Sequence, residues 1–185
     1  MEGKDKLLLK IARKSIESVF DKNIIIDKTK LTKEYPFLNE EKATFVTLTK
    51  HGQLRGCIGS LTAHRSLIED LIYNSKAAAF NDPRFTPLSK DEFDEIKIEI
   101  SILTQPKKLE YKDFEDLEKK LVPKKDGVIL ELENKRATFL PQVWQQLPTF
   151  NEFMVHLCKK AGLNPASLSA LPKIYTYEVV KIKED

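Results

Sequence analysis

The sequence is poor in cysteine and has no long apolar stretch. Two cysteines among 185 residues cannot build a disulfide framework, which excludes the small disulfide-rich secreted proteins and favours a reducing cytoplasm. No segment approaches the ~20 apolar residues of a membrane span, and the charged N-terminus does not resemble a signal peptide, so we expect no membrane insertion. The net charge of +3 argues against charge-driven binding to DNA or to a lipid surface.

The composition nevertheless predicts an ordered domain. Ten phenylalanines and a hydrophobic fraction of 41% exclude a disordered chain, and no repeat or flexible linker divides residues 1–185. Apolar periodicity predicts helices over 4–20, 65–80 and 113–121 and from Thr149 to near Gly162, and strands over 44–50, 53–60, 96–102, 127–133, 136–140 and 175–182. Because the strands form antiparallel pairs between helices, we predict an α+β fold and not a doubly wound parallel sheet.

The scarce residue types arginine, glycine, histidine and cysteine are concentrated in one stretch of the chain. Only five of the 31 basic residues are arginines, and three of the five lie at positions 55, 65 and 84. Three of the six glycines, two of the three histidines and one cysteine fall within 51–65 of the same region. Since lysine supplies most of the surface charge, we expect these arginines to serve as rigid, bidentate hydrogen-bond donors.

Cys57 is the first candidate for chemistry. Alternation along the strand predicts that Leu54, Gly56 and Ile58 face the core, with Arg55 and Cys57 on the opposite face about 6.6–7 Å apart. A guanidinium at that range favours thiolate over thiol, and an accessible thiolate is a nucleophile, a metal ligand or a redox centre. The alternative is a structural strand of small residues, since free cysteine is often buried.

Further candidates surround this strand. Gly56 and Gly59 predict a bulge, or the close approach of another backbone or of a ligand. Asp82–Phe85 either caps the preceding helix or presents Arg84 to an anion or an acidic partner. Glu99 lies on the polar face of a neighbouring strand, where it orients Arg55, serves as a base or is simply solvated.

The histidines offer weaker predictions. His51 and His64 lie six and seven residues from Cys57, spacings that match no zinc motif, and no fourth ligand is evident. We therefore predict no metal and no other cofactor. A pair of Cys57 with His64 as nucleophile and base stays open, although a surface or turn role is the simpler interpretation of each histidine.

Several segments resemble the motifs of the AMMECR domain family, also known as AmmeMemoRadiSam system protein A. The segments are Leu54-Arg55-Gly56-Cys57-Ile58-Gly59, Asp82-Pro83-Arg84-Phe85, Ile98-Glu99-Ile100-Ser101, Ala137–Trp144 and Lys160-Ala161-Gly162-Leu163. The first is similar to the hexapeptide hallmark of the family. The others follow in the family's order, so that the resemblance covers nearly the whole chain.

The resemblance implies a curved, largely antiparallel sheet with flanking helices and a small subdomain within about 105–165. The family has no established reaction. Its prokaryotic members are associated with Memo-type and radical-SAM proteins, which are therefore the partners that the resemblance implies. Carried over by position, the candidate site comprises Arg55, Gly56, Cys57 and Gly59, with Asp82, Arg84 and Glu99 as supports.

Two functions follow as hypotheses. The chain is either an enzyme or substrate-handling component with Cys57 as nucleophile, or a non-catalytic adaptor that presents the same motif to a protein partner. We do not expect RNA binding, because Phe45 is the only aromatic residue in the hairpin around the motif and the pI of about 8.7 is modest.

Overall fold

The computed structural model describes residues 2–185, except for the side chain of Glu2. The chain forms two compact units: unit 1 contains the chain up to Leu103 together with Val180–Asp185, and unit 2 contains Thr104–Val179. The predicted single domain with a subdomain within about 105–165 stays a prediction, because clusters of contacts do not test independent folding. Within residues 2–185, no helix is both long and apolar enough to cross a membrane.

Helices and strands alternate along the chain. The α-helices are α1 (Glu2–Phe20), α2 (Lys28–Glu34), α3 (Leu67–Phe80), α4 (Lys90–Phe93), α5 (Phe114–Lys120) and α6 (Phe150–Lys160). Short 3₁₀ helices cover Pro36–Asn39, Pro141–Gln145 and Pro165–Ala170. The strands are β1 (Ala43–Lys50), β2 (Gln53–Gly59), β3 (Ile96–Leu103), β4 (Lys107–Leu109), β5 (Gly127–Leu132), β6 (Lys135–Phe139), β7 (Lys173–Tyr177) and β8 (Val179–Lys183).

Unit 1 packs helices α1 and α3 against a four-stranded sheet of order β2-β1-β3-β8. Strand β1 pairs antiparallel with β2 on one side and with β3 on the other. Alternate residues of β1 and β3, such as Val46 and Ile100, are completely buried against the helices. The intervening residues, such as Thr47 and Glu99, lie on the opposite face of the sheet and are half-buried.

The turn between β1 and β2 confirms the tight turn predicted at His51-Gly52. Both residues have positive φ, 51° at His51 and 79° at Gly52. Two consecutive positive φ values are typical of a type I′ hairpin turn, whose twist matches that of the two strands. This turn pairs Lys50 with Gln53, and an irregularity further along the two strands brings Cys57 opposite Thr47.

A buried polar network attaches α3 to the other end of the hairpin. The carboxylate of Asp70 accepts hydrogen bonds at 2.8 Å from the backbone and side chain of Thr44 and from the hydroxyl of Ser60. Asn74, one turn further along α3, donates to the same carboxylate and to the Thr44 carbonyl. Because all its groups are hydrogen-bonded, the network stabilises the position of the hairpin on α3.

Unit 2 packs α5 and α6 against a sheet of order β4-β7-β5-β6. Its core contains the single tryptophan, Trp144, stacked on Phe153 with the ring centroids 3.7 Å apart. The predicted cap of α6 is present, since the Thr149 hydroxyl accepts from the Glu152 N–H. Cys158, on the same helix, is completely buried.

The single closing strand predicted over 175–182 is wrong. Strands β7 and β8 replace it and belong to the two different sheets. Tyr177 is buried in unit 2, where its hydroxyl donates to the Phe139 carbonyl, whereas Ile182 is buried in the core of unit 1. The α+β prediction is confirmed, with the strands divided between two antiparallel sheets.

Candidate functional site

Strand β2 carries the hexapeptide, and a β-bulge interrupts its alternation. Leu48 of β1 lies opposite Gly56, but the next β1 residue, Thr49, lies opposite Leu54. Arg55 is therefore the extra residue of the bulge. The prediction that Leu54 faces the core is wrong, because the bulge changes the alternation there and Leu54 is 44% exposed.

Cys57 lies on the face of the sheet that α1 and α3 leave uncovered. It is directly opposite Thr47, which is in turn opposite Glu99 of β3, so the three residues form one row across three strands. The Cys57 sulfur and the Thr47 hydroxyl oxygen are 3.3 Å apart and form a hydrogen bond. The position of the half-buried thiol is therefore fixed by a hydroxyl group of the neighbouring strand.

Glu99 completes that row but does not orient Arg55. Its carboxylate is 3.2 Å from the ammonium of Lys181, on β8. The carboxylate that binds Arg55 belongs to Glu92 instead. The predicted role of Glu99 as a base for Cys57 stays a prediction, whereas its predicted role as the partner of Arg55 is wrong.

Asp82 and Arg84 hold the peptide groups of Cys57 from the open edge of the sheet. The Asp82 carboxylate accepts from the Cys57 N–H at 2.8 Å, and the Arg84 guanidinium donates to the Cys57 carbonyl at 3.3 Å. The same guanidinium donates to both oxygens of Asp82, at 2.7 and 3.0 Å. Two polar groups that an edge strand would expose are thus bound by side chains, which fixes the backbone at the thiol.

Charge in this cluster is strongly stabilised. Asp82 is buried, and its hydrogen bonds from Arg84 hold the pKa of its carboxyl well below the usual range, with a further contribution from the Cys57 N–H. The hydrogen bonds to the same carboxylate raise the pKa of Arg84. Arg84 remains 55% exposed, so the cation that binds the Cys57 carbonyl also faces solvent.

The carboxylate that binds Arg55 belongs to Glu92 and not, as was predicted, to Glu99. The Arg55 guanidinium makes two 2.9 Å hydrogen bonds to the two carboxylate oxygens of Glu92 and a 3.0 Å bond to the carbonyl of Thr86. This bidentate pair lowers the pKa of Glu92 to about 2, helped by the backbone N–H of Ser89. Arg55 therefore attaches the bulge of β2 to the start of α4. Of the two arginines, Arg84 is the one that bonds to Cys57.

The ring of Phe85 lies between these two arginines. The Arg55 and Arg84 guanidinium carbons are 5.8 and 5.5 Å from its centroid. Both distances are within the range of cation–π attraction. Phe85 thus contributes to positioning both cations.

Gly56 and Gly59 are required by close packing within the chain. A Cβ on Gly56 would lie 2.1 Å from the Ala78 carbonyl oxygen of α3, and one on Gly59 would lie 2.2 Å from the Phe45 ring. The predicted bulge and the predicted close approach of another backbone are both present. A role of either glycine in binding a ligand stays a prediction.

The hydrogen bonds of the two nearby histidines lead away from Cys57. His51 Nε2 is 2.8 Å from the Glu95 carboxylate, and His64 Nδ1 is 2.8 Å from the Thr62 carbonyl. In the part of the chain that the structure describes, His, Cys, Asp and Glu side chains form no group of three or more arranged to hold a metal ion.

Two residues that bind the side chains of the candidate site, Glu92 and Thr47, were not predicted as site residues. Glu92 was detectable, because Ser89 and Glu92 have the spacing of a capping box and the structure contains both of its hydrogen bonds. Thr47 follows only from the register of β1 against β2, which the bulge alters. The capping box identifies Glu92 as a helix-capping residue, but the sequence does not reveal its contact with Arg55 or the contact of Thr47 with Cys57.

A model of the family described as AMMECR1 matches residues 9–182 of this chain. The chain belongs to the AMMECR1 family. Protein Mbar_A1807 of Methanosarcina barkeri is 38% identical over 162 residues, covering 85% of this chain and 78% of the relative. Protein SSO0193 of Saccharolobus solfataricus is 40% identical over 167 residues, covering 86% and 72%.

A solved AMMECR1-like structure has the same fold. The crystal structure of the uncharacterized protein PH0010 from Pyrococcus horikoshii superimposes with a TM-score of 0.77 at 33% sequence identity. The match covers 97% of this chain and 90% of that one. The resemblance inferred from the motifs is thereby confirmed.

Proposed function

We propose that this AMMECR1-family protein is an enzyme or a substrate-handling component that acts through the Cys57 thiol on a substrate with an anionic group. One observation carries the proposal: Asp82 and Arg84 bind the N–H and carbonyl of Cys57, which is half-buried on the face of the sheet opposite α1 and α3. Fixing the backbone at a reactive atom reduces the reorganisation that a reaction requires.

The second cysteine supplies the contrast. Cys158 is completely buried among apolar side chains, and burial raises the pKa of its thiol. This is the environment of a structural cysteine. Cys57 is half-buried and hydrogen-bonded to a hydroxyl, and its carbonyl accepts from the exposed guanidinium of Arg84. This environment supports reaction at sulfur.

Arg84 is the group that we assign to the anion. Two of its nitrogens are bound to Asp82, which sets the plane of the guanidinium, and 55% of the side chain is exposed. A carboxylate or phosphate on the substrate would complete the coordination of this cation. The electrophilic carbon of the same molecule would then lie near the sulfur.

Paired alkylation tests the proposal. Iodoacetamide and iodoacetate form the same kind of bond: the sulfur electron pair attacks carbon, iodide leaves, and the thiol proton passes to solvent. The rates at Cys57 and Cys158 are measured by peptide mass spectrometry in the folded protein and in urea. We expect Cys57 to react in the folded protein and Cys158 to react only after unfolding.

The anionic reagent tests Arg84. The attraction of a guanidinium for a carboxylate several ångströms away predicts roughly a threefold to tenfold loss of the iodoacetate-to-iodoacetamide rate ratio in Arg84→Ala. Arg84→Lys should retain part of the ratio, and Arg136→Ala, at a half-exposed arginine in unit 2, should leave it unchanged. Protection of Cys57 until unfolding would contradict the thiol proposal, and an unchanged ratio in Arg84→Ala would remove Arg84 from it.

A second candidate is the adaptor, and the exposure of Leu54 favours it. An apolar side chain that is 44% exposed within the motif suits a protein partner, and the exposed Arg84 supplies a charge for the same partner. The partners implied by the resemblance, a Memo-type or a radical-SAM protein, belong to this proposal. With a purified Memo-type protein in calorimetry, Cys57→Ser should leave binding intact while Arg84→Ala weakens it; loss of binding in Cys57→Ser would favour the first proposal.

A further inference from the structure

A groove in unit 1 shares no residue with the site around Cys57. It has a volume of about 750 Å³ and lies where α1 ends, along the following segment and beside α3. Its apolar lining includes Ile24, Ile25, Ile26 and Tyr73. Ile25 is 78% exposed and Tyr73 is 56% exposed. Bulky apolar side chains exposed together in a concave surface mark a binding site.

The groove is also positively charged. Four cations and a single carboxylate line it: Lys22, Lys28, Arg65, Lys76 and Glu69. Lys28 is 3.3 Å from Glu69, and Arg65 is 3.5 Å from the buried Asp70. Within residues 2–185, Lys22 and Lys76 form no ion pair. Two ammonium groups therefore lie beside an exposed apolar surface without a neutralising partner.

Arg65 provides a rigid part of this surface. Its guanidinium carbon is 4.1 Å from the centroid of the Tyr73 ring, and its Nε donates to His64. A guanidinium held over an aromatic ring loses little conformational entropy when it binds a ligand. Arginine and tyrosine are also the residue types most often responsible for binding energy at protein interfaces.

We propose that this groove binds an acidic peptide segment of a partner protein. A bulky apolar side chain of the segment packs on Ile25 and Tyr73, and its carboxylates pair with Lys22 and Lys76. The apolar contact supplies affinity, and the complementary charge selects the partner.

The charges favour a peptide over the other polyanions. Recognition of an acidic membrane typically uses a cluster of four to eight basic residues, whereas only two cations here lack a partner. Single-stranded RNA requires a series of stacking side chains along a basic track, and the groove has one exposed aromatic ring. Its concave surface accommodates the side chains of a short segment.

The test is selection of a phage-displayed library of random 12-residue peptides on the full chain. We expect enrichment of peptides that combine bulky apolar residues with Asp or Glu. Binding of an enriched synthetic peptide, measured by fluorescence anisotropy, should weaken at least tenfold in Lys76→Glu and in Ile25→Ser. Lys97→Glu, at an exposed lysine outside the groove, is the matched control and should bind as the wild type does.

Circular dichroism checks that the variants fold. Folding is the expected result, because Ile25 and Lys97 are exposed and Lys76 is only half-buried. The proposal is overturned if no peptide is enriched, if the enriched peptides lack acidic residues, or if both groove variants bind normally. It is also overturned if Lys76→Glu instead abolishes binding to phosphatidylserine vesicles or to a single-stranded RNA oligomer.

Discussion

Replacement of Asp82 by Asn tests the attachment of the Cys57 backbone most directly. Each Asp82 oxygen accepts two hydrogen bonds: one from the Cys57 N–H and from Arg84, the other from the backbone and side chain of Arg84. An asparagine NH₂ cannot accept, so whichever oxygen it replaces, two donors lose their acceptor. The variant keeps the size of the side chain, so packing changes little.

The expected cost follows from these bonds. A hydrogen bond to a charged acceptor contributes about 1.5–3 kcal/mol, and the exposed Arg84 recovers part of its share from water. We therefore expect Asp82→Asn to lower the free energy of unfolding by about 3 kcal/mol at pH 7. With a urea dependence of about 2 kcal/mol per molar, the midpoint falls by about 1.5 M.

The same carboxylate makes this difference depend on pH. Its folded pKa lies below the value of about 3.9 in an unfolded chain, so its charge stabilises the fold above that pH, and the contribution is lost as the pH falls. The gap between wild type and Asp82→Asn should shrink by about 1 kcal/mol between pH 7 and pH 3.

The assay is urea denaturation followed by circular dichroism at 222 nm, which reports mainly the long helices α1 and α3 of unit 1. Fluorescence of Trp144 reports unit 2. Asp91→Asn, at an exposed aspartate, is the control and should change the free energy by less than about 0.5 kcal/mol. A cost for Asp82→Asn as small as the control's, or a gap that is constant with pH, would show that the Asp82 carboxylate does not stabilise the fold.

Two further predictions concern the supports of β2. Gly56→Ala places a Cβ 2.1 Å from the Ala78 carbonyl oxygen, so we expect the free energy of unfolding in urea to fall by about 3 kcal/mol. The control Gly3→Ala, where the Cβ meets nothing, should not destabilise the protein, and equal midpoints for the two variants would contradict tight packing at Gly56. Glu92→Gln removes the charge that pairs with Arg55, and the pKa of Glu92 falls to about 2 in the folded protein from about 4.3 in the unfolded chain. We therefore expect a loss of about 1 kcal/mol after solvent screening, present at pH 7 and vanishing between pH 4.5 and pH 2. A cost that persists at pH 2 would exclude a contribution from the Glu92 charge.

Much of the fold was predictable because it depends on local periodicity. The alternating isoleucines of β3 placed that strand within one residue, since each isoleucine must face the core if any does. The stripe of α1, the His51-Gly52 turn and the cap of α6 depend likewise on neighbours within a few residues. The motif residues also identified the family from the sequence alone.

Local patterns in the sequence thus predict the α+β class, most of the helices and strands, and the residues of the candidate site. Contacts between side chains that are distant in the sequence depend on the tertiary structure. Asp82 binds Cys57 across 25 residues, and Glu92 binds Arg55 across 37. A periodic pattern specifies the face on which a residue lies within its own element. It contains no information on the partner that packing brings to that face. A one-residue bulge is enough to change both the face on which a residue lies and the residue that it contacts.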